Sequence, residues 1–113
     1  MSLDNRRYER NTLPADKYIV RIQNSNMDIY EVQVKNISKG GIGIISESYD
    51  CYDESFLVMI YELNDGNENK ILSVRGSTRW IQQEAGGVAI GLQFDFPDKE
   101  LVRTLDGIIK NCS

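Results

Sequence analysis

Ile29-Tyr30-Glu31-Val32-Gln33-Val34-Lys35-Asn36-Ile37 is the stretch that decides the fold. Tyr30, Val32 and Val34 fall on one side of an extended chain and Glu31, Gln33 and Lys35 on the other, the period of two that a half-buried strand requires. Upstream, Tyr18, Val20 and Ile22 alternate with Lys17, Ile19 and Arg21. The polar Asn24-Ser25-Asn26 between these runs suits a hairpin loop, so the two strands should pair antiparallel.

Further along, Ile42 to Ser46 reads as a third strand, and Glu47 to Ser55 as an acidic, tyrosine-containing loop before a fourth strand at Phe56 to Leu63. Asn64-Asp65-Gly66-Asn67 tolerates positive φ and should turn the chain into a fifth strand, Lys70 to Ile81, beside its predecessor. Gly76 within that strand suggests a bulge or tight bend. Gly86-Gly87 marks another turn, and Val88 to Phe94 makes a sixth strand. So many short strands with regular turn signals favour a closed barrel or a sandwich, because closure removes exposed sheet edges.

From Asp98 the period changes. Leu101, Val102, Leu105, Ile108 and Ile109 line one face of a helix at about 98–111, Asp98 can cap its first N–H groups, and Pro97 precedes it. The helix should cover an open end or side of the barrel. The expected class is therefore all-β with a C-terminal helix. Residues 13–113 form the folded unit, and residues 1–12 a flexible arginine-containing arm.

Composition narrows the function. The chain has 113 residues, 41% hydrophobic and 27% charged, which fits one globular domain with one core. Its longest apolar run, Phe56 to Tyr61, is far short of the roughly 20 residues of a membrane helix, so no membrane insertion is expected. Met1-Ser2-Leu3-Asp4-Asn5 lacks the apolar stretch of an export signal. Cys51 and Cys112 have no metal-site spacing and read as reduced thiols, which points to a cytoplasmic protein. No histidine is present, which removes the commonest general base and a common metal ligand; an enzyme is not expected, nor a metal or cofactor. The net charge is −4, yet residues 1–40 carry seven Lys/Arg against five Asp/Glu. An acidic body argues against DNA or RNA as partner. A small anionic ligand held by a local basic cluster fits better.

Two motifs stand out. Arg6, Arg7 and Arg10 lie ahead of the first strand; by spacing alone they are an ordinary solvated cluster. Guanidinium groups, however, can donate paired hydrogen bonds to guanine O6 and N7, pair with phosphate and stack on a base. Asn36-Ile37-Ser38-Lys39-Gly40-Gly41 follows the decisive strand and by itself reads as turn chemistry. Its period should put Asn36 and Ser38 on one face, with glycine permitting close approach to a ligand. Trp80 and Tyr18 could stack a base, but in small barrels such side chains mostly fill the core, and both are assigned there. The carboxylates Asp53, Glu54, Asp95 and Asp98 show no catalytic spacing, and Tyr49 and Tyr52 suit a partner surface or loop packing equally.

Together these elements resemble the PilZ domain, a bacterial receptor family for cyclic di-GMP. Arg6-Arg7-Tyr8-Glu9-Arg10 matches its two arginines separated by three residues, and Asn36, Ser38 and Gly41 match its Asp/Asn-x-Ser-x-x-Gly pattern. Trp80 and Ile90-Gly91-Leu92-Gln93-Phe94 are similar to the family's C-terminal half, so the resemblance covers residues 5 to 100. It implies a six-stranded antiparallel β-barrel of PilZ type, in which the arginine arm clasps cyclic di-GMP against the Asn/Ser strand. It assigns Arg6 and Arg10 to guanine and phosphate, Arg7 as an auxiliary, Asn36 and Ser38 to polar contacts, and Gly41 to close approach. A stand-alone module signalling to a downstream protein partner is the expectation. Two alternatives are a PilZ-like protein-interaction adaptor with weak or no nucleotide binding and a flavin-binding split-barrel enzyme.

Overall fold

The computed structural model describes residues 13–47, 53–95 and 98–110. The alternating runs are strands β1 (Tyr18–Gln23), β2 (Ile29–Ile37), β3 (Gly41–Ser46), β4 (Ser55–Asn64), β5 (Asn67–Glu84) and β6 (Gly87–Phe94), followed by helix α1 (Lys99–Lys110). They form a closed antiparallel barrel in the order β1-β2-β3-β6-β5-β4. Closure rests on β1, whose Val20 pairs with Val32 of β2 on one side and Ile60 of β4 on the other. Both edges of β1 are thereby hydrogen-bonded, so the sheet ends without a free edge there.

The turns follow the residues that build them. Asn24 Oδ1 accepts from the N–H groups of Asn26 and Asp28 at 3.0 and 2.9 Å, closing the β1–β2 hairpin as an Asx turn. Asp65 and Gly66, at φ 51° and 81°, make the β4–β5 turn, and two successive positive φ values match the twist of the strands they join.

Inside the barrel, Val20, Ile22, Ile42, Ile44, Phe56, Val58, Ile60 and Ile90 are almost wholly buried. Tyr18 is buried among them, as its core assignment required. Helix α1 contributes Leu105 and Ile108 to the same core and contacts β5, so it does cover the barrel. Asp98 accepts from Leu101 N–H at 2.8 Å, the cap expected of it.

The expectation for Gly76 is corrected. Gly76 pairs in regular register with Phe56 and Phe94, while the register shifts in β5 leave Ile71 and Arg79 as the extra residues. A Cβ at Gly76 would stand 3.2 Å from Leu92 Cβ and 3.7 Å from Val58 Cγ2. Glycine there makes room for core side chains rather than bending the strand. A third bulge, at Lys35 of β2, matters more for the site.

Candidate functional site

Strict alternation along β2 would carry Asn36 to the side of Val32 and Val34. The bulge prevents this: Val34 pairs with Ile44, Asn36 pairs with Gly43, and Lys35 is the extra residue between. The phase of the strand changes, so Ile37 is fully buried while Asn36 stands on the outer surface over Gly43. A Cβ on Gly43 would lie 2.9 Å from Asn36 Oδ1.

The same device operates on the far side of the face. Leu72, Val74, Gly76 and Thr78 share the inner phase of β5, and unbroken alternation would add Trp80 to them. The extra residue Arg79 turns Trp80 outward instead, where it pairs with Gly91. Trp80 is 43% exposed, which corrects its assignment to the core. Its indole lies over Gly91, and any Cβ there would run into the indole nitrogen. Gly91 pairs in turn with Gly43. One row of the outer surface therefore reads Asn36, Gly43, Gly91, Trp80 across β2, β3, β6 and β5. The Asn36 amide lies on Gly43 and the Trp80 indole on Gly91, so the two glycines seat a hydrogen-bonding amide and an aromatic plane against the barrel. A face that presents an amide and an indole has the chemistry to receive a planar polar ring.

Sequence reasoning missed Trp80, Gly43 and Gly91 as members of this face. The available signal was Gly43 and Gly91 standing opposite each other in adjacent strands, since paired glycines leave a gap that some side chain must occupy.

Beyond Ile37 the chain turns. Ser38 is buried, its N–H donates to the Gly41 carbonyl at 2.9 Å, and its Oγ accepts from Gly40 N–H at 3.3 Å. The hydroxyl hydrogen is not used by that bond, leaving Ser38 able to donate. Gly41 has a structural reason to be glycine: a Cβ would strike the Leu92 carbonyl oxygen of β6. The Asn36-Ser38-Gly41 segment is thus held tightly at the end of the Asn36 row.

Charge surrounds this segment. Lys39 pairs with Asp106 of α1 at 3.5 Å, and Asp106 also pairs with Lys110 at 3.3 Å. Hydrogen bonding to Lys110, reinforced by Lys39, holds the Asp106 carboxyl below its ordinary range. The ion pair ties the turn after β2 to the helix. Lys35 reaches Glu84, at the end of β5, at 3.3 Å. Elsewhere Arg21 is committed to Glu68 and Glu31 at 2.9 and 3.3 Å and stacks on Tyr61, with Glu68 holding its guanidinium firmly protonated.

The suspect carboxylates have structural duties. Asp53 accepts from the N–H groups of Ser25 and Glu54, both at 2.7 Å, and the Ser25 bond foremost lowers its pKa. Asp95 accepts from Ser77 Oγ at 2.8 Å. Among the described residues no group of Cys, Asp and Glu is gathered closely enough to hold a metal ion, and no helix is long and apolar enough to cross a membrane. Arg6, Arg7 and Arg10, the arm at 1–12, Tyr49, Cys51, Tyr52, Pro97 and Cys112 lie outside the described residues.

Comparison with known proteins places these features in a family. Among solved structures, the chain is similar to the PilZ domain with c-di-GMP of YcgR from Escherichia coli, with a TM-score of 0.73 at 16% identity, covering 96% of this chain and 92% of that one. It is similar also to the Bacillus subtilis inhibitor of motility MotI/DgrA, with a TM-score of 0.68 at 18% identity, covering 97% of this chain and 50% of that one. The MrkH–c-di-GMP complex of K. pneumonia aligns with a TM-score of 0.66 at 19% identity, covering 96% and 52%. The chain spans about half the length of these last two proteins. At such identities the likeness is one of fold. No curated protein matches the sequence. The PilZ domain family model matches residues 4–111, nearly the whole chain. With that match, a closed six-stranded barrel and the ordered Asn36-x-Ser38-x-x-Gly41 segment, the chain belongs to the PilZ domain family.

Proposed function

We propose that the protein is a non-enzymatic receptor for cyclic di-GMP. The observation that carries this reading is the outer row Asn36-Gly43-Gly91-Trp80 running beside the Ser38–Gly41 turn in a PilZ chain. Gly43 and Gly91 seat the Asn36 and Trp80 side chains against the barrel, where Trp80 offers a guanine ring an aromatic plane and Asn36 and Ser38 offer hydrogen bonds. Arg6 and Arg10 supply the guanine and phosphate contacts, with Arg7 as auxiliary. Gly41 contributes by keeping the turn tight against β6. Two of the structural neighbours described above, the YcgR domain and MrkH, hold c-di-GMP, which supports the same ligand class.

Binding then acts as the signal. The arm from residues 1 to 12 closes over the dinucleotide, and the altered surface is read by a downstream protein partner. Helix α1, tied to the turn through Lys39 and Asp106, stands next to that event.

Calorimetric titration tests the ligand. Cyclic di-GMP should bind far better than cyclic di-AMP, because adenine puts an amino donor where guanine has the O6 acceptor, and guanidinium groups are donors only. Equal affinity for the two would sink the guanine-edge assignment. No measurable heat with either would favour the adaptor reading.

A further inference from the structure

The ion pair between Lys35 and Glu84 has its cationic member at the proposed ligand face. Lys35 is the extra residue of the β2 bulge, so Lys35 and Asn36 together oppose Gly43. Glu84 ends β5 and pairs there with Gly87 of β6. Between β2 and β5 lie β3 and β6, three strand spacings or about 14 Å along the sheet. The two side chains nevertheless meet at 3.3 Å. Lys35 adjoins the Asn36-Gly43-Gly91-Trp80 row, and Glu84 lies two positions beyond Gln82 of the next outer row, Gln33-Ile45-Ala89-Gln82. Their side chains are 44% and 28% exposed, so the pair stabilises the fold little. Its effect is electrostatic and local: an ammonium next to Asn36 is held by a carboxylate on the surface where an anion is to bind.

Resting on the cyclic di-GMP reading above, we propose that Lys35 is a further phosphate-binding residue of this face and that Glu84 is its built-in competitor. The Glu84 carboxylate occupies Lys35 as a phosphodiester oxygen would. Binding exchanges one anionic oxygen for another: a ligand phosphate takes the Lys35 ammonium, and Glu84 turns to solvent. The ligand's second charge favours the exchange, because Glu84 would otherwise remain close to a dianion. Glu84 thereby sets how much cyclic di-GMP is needed to occupy the receptor.

A double-mutant cycle on the full chain, read by calorimetry at fixed salt, tests this. Glu84→Gln frees Lys35 and should tighten cyclic di-GMP binding by about 2- to 5-fold, the range of an exposed ion pair. Lys35→Gln should weaken binding about 10- to 150-fold, as expected for loss of a charge-assisted hydrogen bond, and Lys35→Arg should retain most of the affinity. In the Lys35→Gln background, Glu84→Gln should tighten binding by clearly less than it does with Lys35 present. Equal tightening by Glu84→Gln in both backgrounds would reduce Glu84 to a distant repulsive charge and overturn the proposal. So would unchanged affinity of Lys35→Gln while the parent protein binds. A parent protein that fails to bind cyclic di-GMP would overturn the receptor reading itself, and this inference with it. Lys35 is exposed and Glu84 half-buried at the end of β5, and melting curves of the variants should stay within a few degrees of the parent curve.

Discussion

Arg10→Ala should weaken cyclic di-GMP binding by roughly 5- to 150-fold and leave the melting temperature without ligand almost unchanged. A well-formed bidentate contact from arginine to guanine O6 and N7 is worth about 1 to 3 kcal/mol, and tenfold in affinity corresponds to about 1.4 kcal/mol. Arg10 precedes β1 in sequence, so its truncation is expected to remove a ligand contact without opening a core cavity. Calorimetry gives the affinity and a thermal melt gives the fold. Normal binding by a folded Arg10→Ala protein would remove this arginine from the clasp. Loss of binding that merely accompanies unfolding would do the same.

The largest effect on stability should come from Phe56→Ala. Phe56 is fully buried at the start of β4, where it pairs with Gly76, the glycine whose missing side chain makes room for Leu92 and Val58. Truncation there loses the transfer energy of a phenyl ring and leaves a cavity that close-packed strands on every side cannot refill. The expected cost is about 3 to 5 kcal/mol, against roughly 5 to 15 kcal/mol for a whole domain. In a chain of this length that should lower the melting temperature by on the order of 15 °C. Where the protein remains folded at low temperature, its affinity for cyclic di-GMP should be close to the parent value, since Phe56 faces the core and the ligand face lies outside. A melting temperature within a few degrees of the parent would contradict the packing described for Gly76 and Phe56.

The contrast between β2 and β5 shows what the chain's alternation can and cannot reveal. Ile29 to Ile37 is recognisable as a strand to its last residue, because every second side chain must be apolar to reach the core and polar to meet water. The Asn24, Asp65 and Gly66 turns and the Asp98 cap are legible for a similar reason: each depends on a local interaction that few residue types can make. Bulges depend on something else. Lys35 and Arg79 are extra residues only in relation to Gly43 and Gly91 of neighbouring strands, and the twist that accommodates them belongs to the closed barrel. Alternation alone therefore carries Trp80 inward with Val74 and Thr78. It likewise gives no hint that Lys35 and Asn36 share a side, nor that Glu84 lies within reach of Lys35.

For the candidate site, the two motifs are visible as residue patterns, and the Asn36-x-Ser38-x-x-Gly41 segment has its physical counterpart in a tight turn closed by Ser38. The aromatic member of the face was hidden because burial and stacking ask for the same residue type, and only the strand's phase distinguishes them.

That phase also supplies a probe, since Trp80 is the only tryptophan in the chain. Titration with cyclic di-GMP, followed by tryptophan fluorescence under conditions where calorimetry shows saturation, reports directly on whether the ligand lies on the Asn36-Gly43-Gly91-Trp80 row. The account predicts a saturable change in Trp80 emission with the same midpoint as the heat of binding. Full calorimetric saturation with unaltered Trp80 emission would put the dinucleotide elsewhere on the protein and contradict the proposed face.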